Sequence, residues 1–248
     1  MRINCWMAIC CLSRSFLAIK KSSKISIKKN SSVPILLTEN QERFFKSLND
    51  INKQIICGIG PAGSGKTMLA CNSAMTQLKE GIVHKIVVTR PMVSVGEELG
   101  YLPGNIQSKM DPWTRPIFDL FLEHCSQKEL TTWIEENRIE ISPLAYMRGR
   151  TFKKAFIIAD EMQNSSPNQM FMLLTRLGEG SKIAITGDLA QSDYGFKNNG
   201  LYDFMDKYEA SEKSNHIDMI HLSKKDVKRS LIVQSVMDIY CKELQWTL

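Results

Sequence analysis

The sequence predicts an α/β domain with a mainly parallel sheet covered by helices on both faces. Three observations carry this expectation. Short continuous apolar runs alternate with helical stretches, as strands buried on both faces require. A Gly-rich octapeptide, Gly60-Pro61-Ala62-Gly63-Ser64-Gly65-Lys66-Thr67, separates one apolar run from a helix. A later apolar run ends in the adjacent acids Asp160 and Glu161.

The regular pattern begins near Pro34. Residues 39–49 read as a helix, with Thr38 as N-cap and Phe44, Phe45 and Leu48 on one apolar face. Residues 54–59 form a buried strand, and a helix runs from about Lys66 to Lys79, stopped by Gly81. Residues 85–89 (KIVVT) are a second strand. Residues 91–116 are rich in Gly and Pro and read as loop, followed by helices near 115–125 and 127–137. Strands follow at 138–141 and 155–160, then a helix at 167–177 with Pro167 in its first turn. A strand at 182–186, a helix at 201–208, a strand at 217–222 and an amphipathic helix over 224–241 complete the chain. No repeat or linker interrupts residues 34–248, which read as one domain.

The chain of 248 residues carries 32 Lys+Arg against 26 Asp+Glu, a formal net charge of +6. Seven of the basic residues (Arg2, Arg14, Lys20, Lys21, Lys24, Lys28 and Lys29) precede the first acid, Glu39. The body is therefore close to neutral, and bulk charge does not argue for nucleic acid. Residues 1–33 form a basic, acid-free leader expected to lie outside the fold. Its Ser-rich, acid-poor composition fits an organelle transit peptide, although Lys outnumbers Arg. A secretory signal would need a longer unbroken apolar stretch. A disordered or artefactual extension is the plainest reading. No stretch approaches the roughly 18 apolar residues of a spanning helix, so no membrane is expected for the body. Seven scattered cysteines without metal-ligand spacing suit reduced thiols. They place the body in the cytoplasm, with organelle targeting by the leader as the competing assignment.

The octapeptide is a G-x-x-x-x-G-K-[ST] phosphate loop in its confirming strand–helix context. Gly60, Gly63 and Gly65 allow backbone conformations that turn N–H groups inward onto phosphate oxygens. Lys66 is expected to bridge the β- and γ-phosphates of ATP, and Thr67 to offer a hydroxyl to Mg²⁺. Asp160 is the expected second Mg²⁺ group, and Glu161 the residue that orients and deprotonates an attacking water. In TGDLAQ (186–191), Asp188 and Gln191 are placed to sense a γ-phosphate. Gln41, about twenty residues before the loop, could read an adenine edge with its amide.

These motifs together resemble the PhoH-like family of P-loop ATPases. The runs VVTRPMVSVGEELGYLPG (87–104), KMDPWTRPIFD (109–119), PLAYMRGRTFKKAFIIADEMQN (143–164), LTRLGEGSKIAITGDLAQSD (174–193) and LSKKDVKRSLIV (222–233) carry the resemblance, over about residues 34–241. It implies a RecA-like ATPase domain similar to the core of superfamily-1 helicases. It also implies a homo-oligomeric ring, plausibly a hexamer, in which an arginine completes a neighbour's site. Arg148, Arg150, Arg176 and Arg229 are the candidates, with Arg176 and Arg229 carried as catalytic. Single-stranded RNA is the expected partner, contacted by Arg148, Arg150, Lys153 and Lys154 near the catalytic site. No acidic cluster of a PIN-type nuclease is present. An ATP-gated binding module, with switch segments at 96–104 and 194–200, is the competing reading. A small-molecule kinase fits less well, because Glu161 and Gln191 read as water activation.

Overall fold

The computed structural model describes residues 26–27, 35–91, 106–193, 198–228, 232–233 and 235. Eight strands are described: β1 (Ser26–Ile27), β2 (Ile35–Leu36), β3 (Ile55–Ile59), β4 (Lys85–Thr89), β5 (Ile139–Ile141), β6 (Ala155–Ala159), β7 (Lys182–Gly187) and β8 (Ile217–His221). Six helices accompany them: α1 (Glu39–Asn49), α2 (Lys66–Lys79), α3 (Ile106–Leu122), α4 (Gln127–Glu135), α5 (Pro167–Leu174) and α6 (Gly200–Ala210). Six strands form one sheet in the order β5-β4-β6-β7-β3-β8, and every described pairing in it is parallel.

The strands alternate their side chains between two buried faces, so both must be covered. Ile56, Ile86, Ile158 and Ala184 face a core closed by Phe44 and Leu48 of α1, Leu69 and Leu78 of α2, and Phe121 of α3. Cys57, Val87, Ile157 and Ile185 face the opposite core, closed by Met170 and Leu173 of α5 and Leu201 of α6. This is the expected mainly parallel α/β architecture. Because the strands are parallel, the turns after β3, β6 and β7 gather at one end of the sheet. Ligand sites of such sheets form there.

Several boundaries differ from expectation. α3 begins at Ile106, inside the segment read as loop, and carries Pro112 and Pro116 within it. Burial of Ile117 and Phe121 outweighs the helix hydrogen bonds that those prolines cannot donate. α5 stops at Leu174, because Leu177 leaves to form a parallel bridge with Phe152. Residues 224–226 form a 3₁₀ turn; of the helix expected over 224–241, residues 232, 233 and 235 are helical, and 229–231, 234 and 236–241 lie outside the described residues. Ser223 caps that turn, and its N–H and hydroxyl donate to the Asp226 carboxylate. Ser26–Ile27 pairs antiparallel with Ile35–Leu36 in a two-stranded sheet separate from the six-stranded one, and the other residues of the leader lie outside the described residues. The switch segment at 96–104, part of that at 194–200, and Arg229 lie outside the described residues. Among the described residues no helix is long and apolar enough to cross a membrane.

Candidate active site

The phosphate loop leaves β3 and enters α2 at Lys66. Gly65, the N-cap of α2, has φ 84° and ψ 10°, and Gly63 has φ 80°. Both values lie in the left-handed region, where a side chain would be strained. Ser64 is fully buried beneath the loop, with Pro61 accepting its backbone N–H at 3.2 Å. The Lys66 ammonium lies 2.6 Å from the Gly60 carbonyl and 2.9 Å from that of Pro61. Burial pushes the Lys66 pKa down, opposed by the nearby acids Asp188, Glu161 and Asp160.

Two further strand ends meet the loop. Thr67 donates its hydroxyl to Asp160 Oδ1 at 2.8 Å, and Thr186 donates to the same oxygen at 2.5 Å. The next residue, Glu161, is held at φ 54° and ψ 39°, an uncommon conformation for a non-glycine residue. At the end of β7, Asp188 Oδ2 accepts the Ala62 N–H of the phosphate loop at 3.1 Å, and Oδ1 accepts that of Ala190. Together these groups line a cavity of about 220 Å³ that includes Lys66, Thr67, Asp160, Glu161, Asp188 and Gln191. The structure therefore brings together the residues that the motifs singled out individually.

The donor set fits magnesium bound with a nucleotide. A threonine hydroxyl and a carboxylate 2.8 Å apart are hard oxygen donors. Magnesium takes only one or two such protein groups when phosphate oxygens supply others. Among the described residues no group of three or more His, Cys, Asp or Glu forms a separate metal cage.

Other expected site residues have different tasks. Gln41 is buried; its amide donates to the carbonyls of Ser64 at 2.9 Å and Asp226 at 3.0 Å, and accepts the Thr38 N–H. Both amide hydrogens are thus used inside the protein, where they join the phosphate loop to the turn after β8. Arg150 makes a two-pronged pair with Glu140, at 2.5 and 2.9 Å, and stacks over Phe152. Its guanidinium is thus held by the protein's own groups while remaining partly exposed. The Arg176 guanidinium donates to the carbonyls of Met172 and Arg150 and to the Thr175 hydroxyl, closing the end of α5. Lys153 and Lys154 precede β6, whereas Asp160 and Glu161 follow it, so they occupy opposite ends of the sheet, about 20 Å apart. Lys153 and Lys154 therefore do not line the cavity formed by Lys66, Asp160 and Glu161. Arg148 remains exposed and borders a separate groove beside α5.

Three residues escaped the sequence reading. Thr186 is a hydroxyl at the end of an apolar strand, which is the signal that could have found it. Gln163 lies two positions after Glu161 and is buried against Asp188. Asp226 stands three residues after Ser223, the spacing of a capping box.

Fold and site define the class: a P-loop NTPase-like domain with an acidic strand end beside its phosphate loop. A family model described as "PhoH: PhoH-like protein" matches residues 35–241, and the chain belongs to that family. It is 45% identical over 191 residues to a PhoH-like protein of Bacillus subtilis (strain 168), covering 76% of this chain and 59% of the relative. It is 37% identical over 218 residues to Protein PhoH of Escherichia coli (strain K12), covering 84% and 58%. The chain thus spans less than two thirds of the length of these curated relatives. Among solved structures, the Sulfolobus solfataricus SWI2/SNF2 ATPase core in complex with dsDNA aligns with a TM-score of 0.43 at 15% identity, over 77% of this chain and 45% of that one. The Pif1 helicase from Candida albicans aligns with a TM-score of 0.38 at 16% identity, over 77% and 40%.

Proposed function

We propose that this chain is a magnesium-dependent ATPase that couples hydrolysis to binding or remodelling of single-stranded RNA within a homo-oligomeric ring, with a hexamer as the expected form. The carrying observation is the junction of Thr67 with Asp160 at 2.8 Å, with Glu161 the next residue on the same cavity. Loop amides and Lys66 hold the phosphates. Thr67 and Asp160 are the residues that would hold a magnesium ion, whose chemistry there would be charge neutralisation on the phosphates. Glu161 orients a water and accepts its proton, while Asp188 and Gln191 border the same space. Exposed Arg148 and Phe171 border one groove of about 800 Å³, and a cation beside an exposed ring suits a single strand. The ring rests on the family resemblance, with Arg148 the exposed candidate for a neighbour's site.

A second reading, an ATP-gated module with little turnover, draws support from Lys66. Its ammonium rests on the loop's own carbonyls and would have to leave them to meet phosphate. One experiment separates the readings: ATP hydrolysis titrated with single-stranded RNA and DNA, beside a measurement of mass in solution. Turnover that rises with RNA and vanishes in Lys66→Ala supports the coupled ATPase. Tight ATP binding without turnover supports the gated module. Wild-type hydrolysis by Glu161→Gln would overturn the assignment of the water-activating group.

A further inference from the structure

The Gln163 side chain stands between two parts of the site. It is 1% exposed, and its Nε2 donates to Glu161 Oε2 at 2.5 Å. Its Oε1 accepts the Asp188 backbone N–H at 3.1 Å. That N–H can only donate, so the amide oxygen must face it. The NH₂ group is thereby directed at the Glu161 carboxylate. Asp188 in turn accepts the Ala62 N–H of the phosphate loop at 3.1 Å. A continuous hydrogen-bonded path therefore runs from the phosphate loop through Asp188 and Gln163 to Glu161.

The surroundings are shaped to this amide. A Cβ at Gly187 would stand 3.0 Å from Gln163 Oε1, 3.3 Å from its backbone nitrogen and 2.5 Å from Leu201 Cδ2. The absence of a side chain at Gly187 leaves room for the amide. The segment is fastened at two further points. Ser192 Oγ donates to the Gln163 carbonyl, and Asn164 Oδ1 accepts the Asp193 N–H, both at 3.0 Å. Glu161 itself holds a left-handed backbone conformation, which persists only when neighbours determine it.

We propose that Gln163 is a positioning residue for hydrolysis, fixing the Glu161 carboxylate and linking its placement to the β7 end and the phosphate loop. The inference rests on the reading of Glu161 as the group that orients water. The amide does not touch the phosphates or the water; it acts through Glu161. A catalytic group misplaced by about 1 Å can lose about a hundredfold in rate while nucleotide binding by the loop persists.

Gln163→Glu is the decisive variant. It keeps an oxygen for the Asp188 N–H but turns a carboxylate oxygen toward Glu161. Expected are a kcat lowered roughly tenfold to a hundredfold, with KM for ATP and binding of a fluorescent ATP analogue within about threefold of wild type. Burying a second carboxylate against Glu161 should lower the melting temperature, and retained binding of the ATP analogue shows that the site stays folded. In a Glu161→Gln background the same change should cause no further loss, because both substitutions remove one function. Gln163→Leu, which removes both hydrogen bonds, should lower kcat at least as far, and Gln163→Glu decides the matter if the leucine variant does not fold. Wild-type kcat in Gln163→Glu, or an equal fractional loss in the Glu161→Gln background, would overturn the positioning role. Wild-type hydrolysis by Glu161→Gln alone would instead remove the underlying reading. A dead Glu161→Gln beside a fully active Gln163→Glu would remove only the role of Gln163.

Discussion

The Gln41 amide nitrogen lies 3.0 Å from the Asp226 backbone oxygen, across 185 positions of sequence. The same nitrogen reaches Ser64 O of the phosphate loop at 2.9 Å. One side chain therefore fastens the start of α1, the loop and the turn after β8. Asp226 strengthens the junction by accepting from Thr38 Oγ1, Asn40 Nδ2 and Ser223 N. Burial pushes its carboxyl pKa up, but these hydrogen bonds outweigh that effect and hold it below the usual value.

Gln41→Ala should lower unfolding stability by about 1–3 kcal/mol, because it leaves buried backbone groups without partners. Denaturant titration checks this value. The variant should weaken ATP and GTP binding alike, as expected when a scaffold loosens. A loss confined to adenine nucleotides would restore the base-reading role that the sequence suggested.

Gly60→Ala tests the seat of the loop. The added Cβ would stand 2.3 Å from the Leu222 carbonyl oxygen, a backbone atom that cannot rotate aside. The expected cost is about 1–3 kcal/mol of stability, together with weaker nucleotide binding. Thermal melting with and without magnesium-ATP would show both. An unchanged midpoint and affinity would mean that the loop and the segment after β8 part easily.

Glu140 provides a test by pH. Its hydrogen bond from Arg150, aided by Lys85 and opposed by partial burial, holds its pKa at about 2. The folded pKa is depressed, so the stabilisation is fully present above the unfolded value of 4.5 and is lost as pH falls through about 2. Glu140→Gln should cost about 1–2 kcal/mol near neutral pH, allowing for the partly exposed Arg150. The gap between the two proteins in denaturant midpoint should narrow below pH 4.5 and close near pH 2. A gap independent of pH would show that the pair contributes shape rather than charge.

Thr67→Ala removes a hydroxyl that Asp160 accepts at 2.8 Å. Hydrolysis should fall about a hundredfold or more, and the magnesium concentration for half-maximal rate should rise. Steady-state assays across a magnesium titration measure both. An unaltered magnesium response would place the ion elsewhere.

The phosphate loop was legible because its geometry admits few residue types, and Gly63 and Gly65 occupy the left-handed conformations that the motif implies. The strands were legible because parallel strands buried on both faces are apolar throughout. Charge was less informative about place. Arg150, Lys153 and Lys154 are close in sequence, yet one pairs with Glu140 and the other two precede β6, at the far end from the site. Gln41 was recognisable as a polar residue of interest, but its partners Ser64 and Asp226 are brought to it only by the folded topology. Prolines misled in α3, where tertiary burial overrides local propensity.

The position of β3 has a consequence for the order of assembly. Ile55 pairs with Ile183 on one side and Ile217 on the other. The strand that launches the phosphate loop is thus made early on the ribosome, while both of its neighbours arrive more than a hundred residues later. Such distant pairings close large loops and fold slowly. A nascent chain halted before β8 would display a bare edge of β3, so the strand that launches the phosphate loop stays open on one side until residues 217–221 have been made.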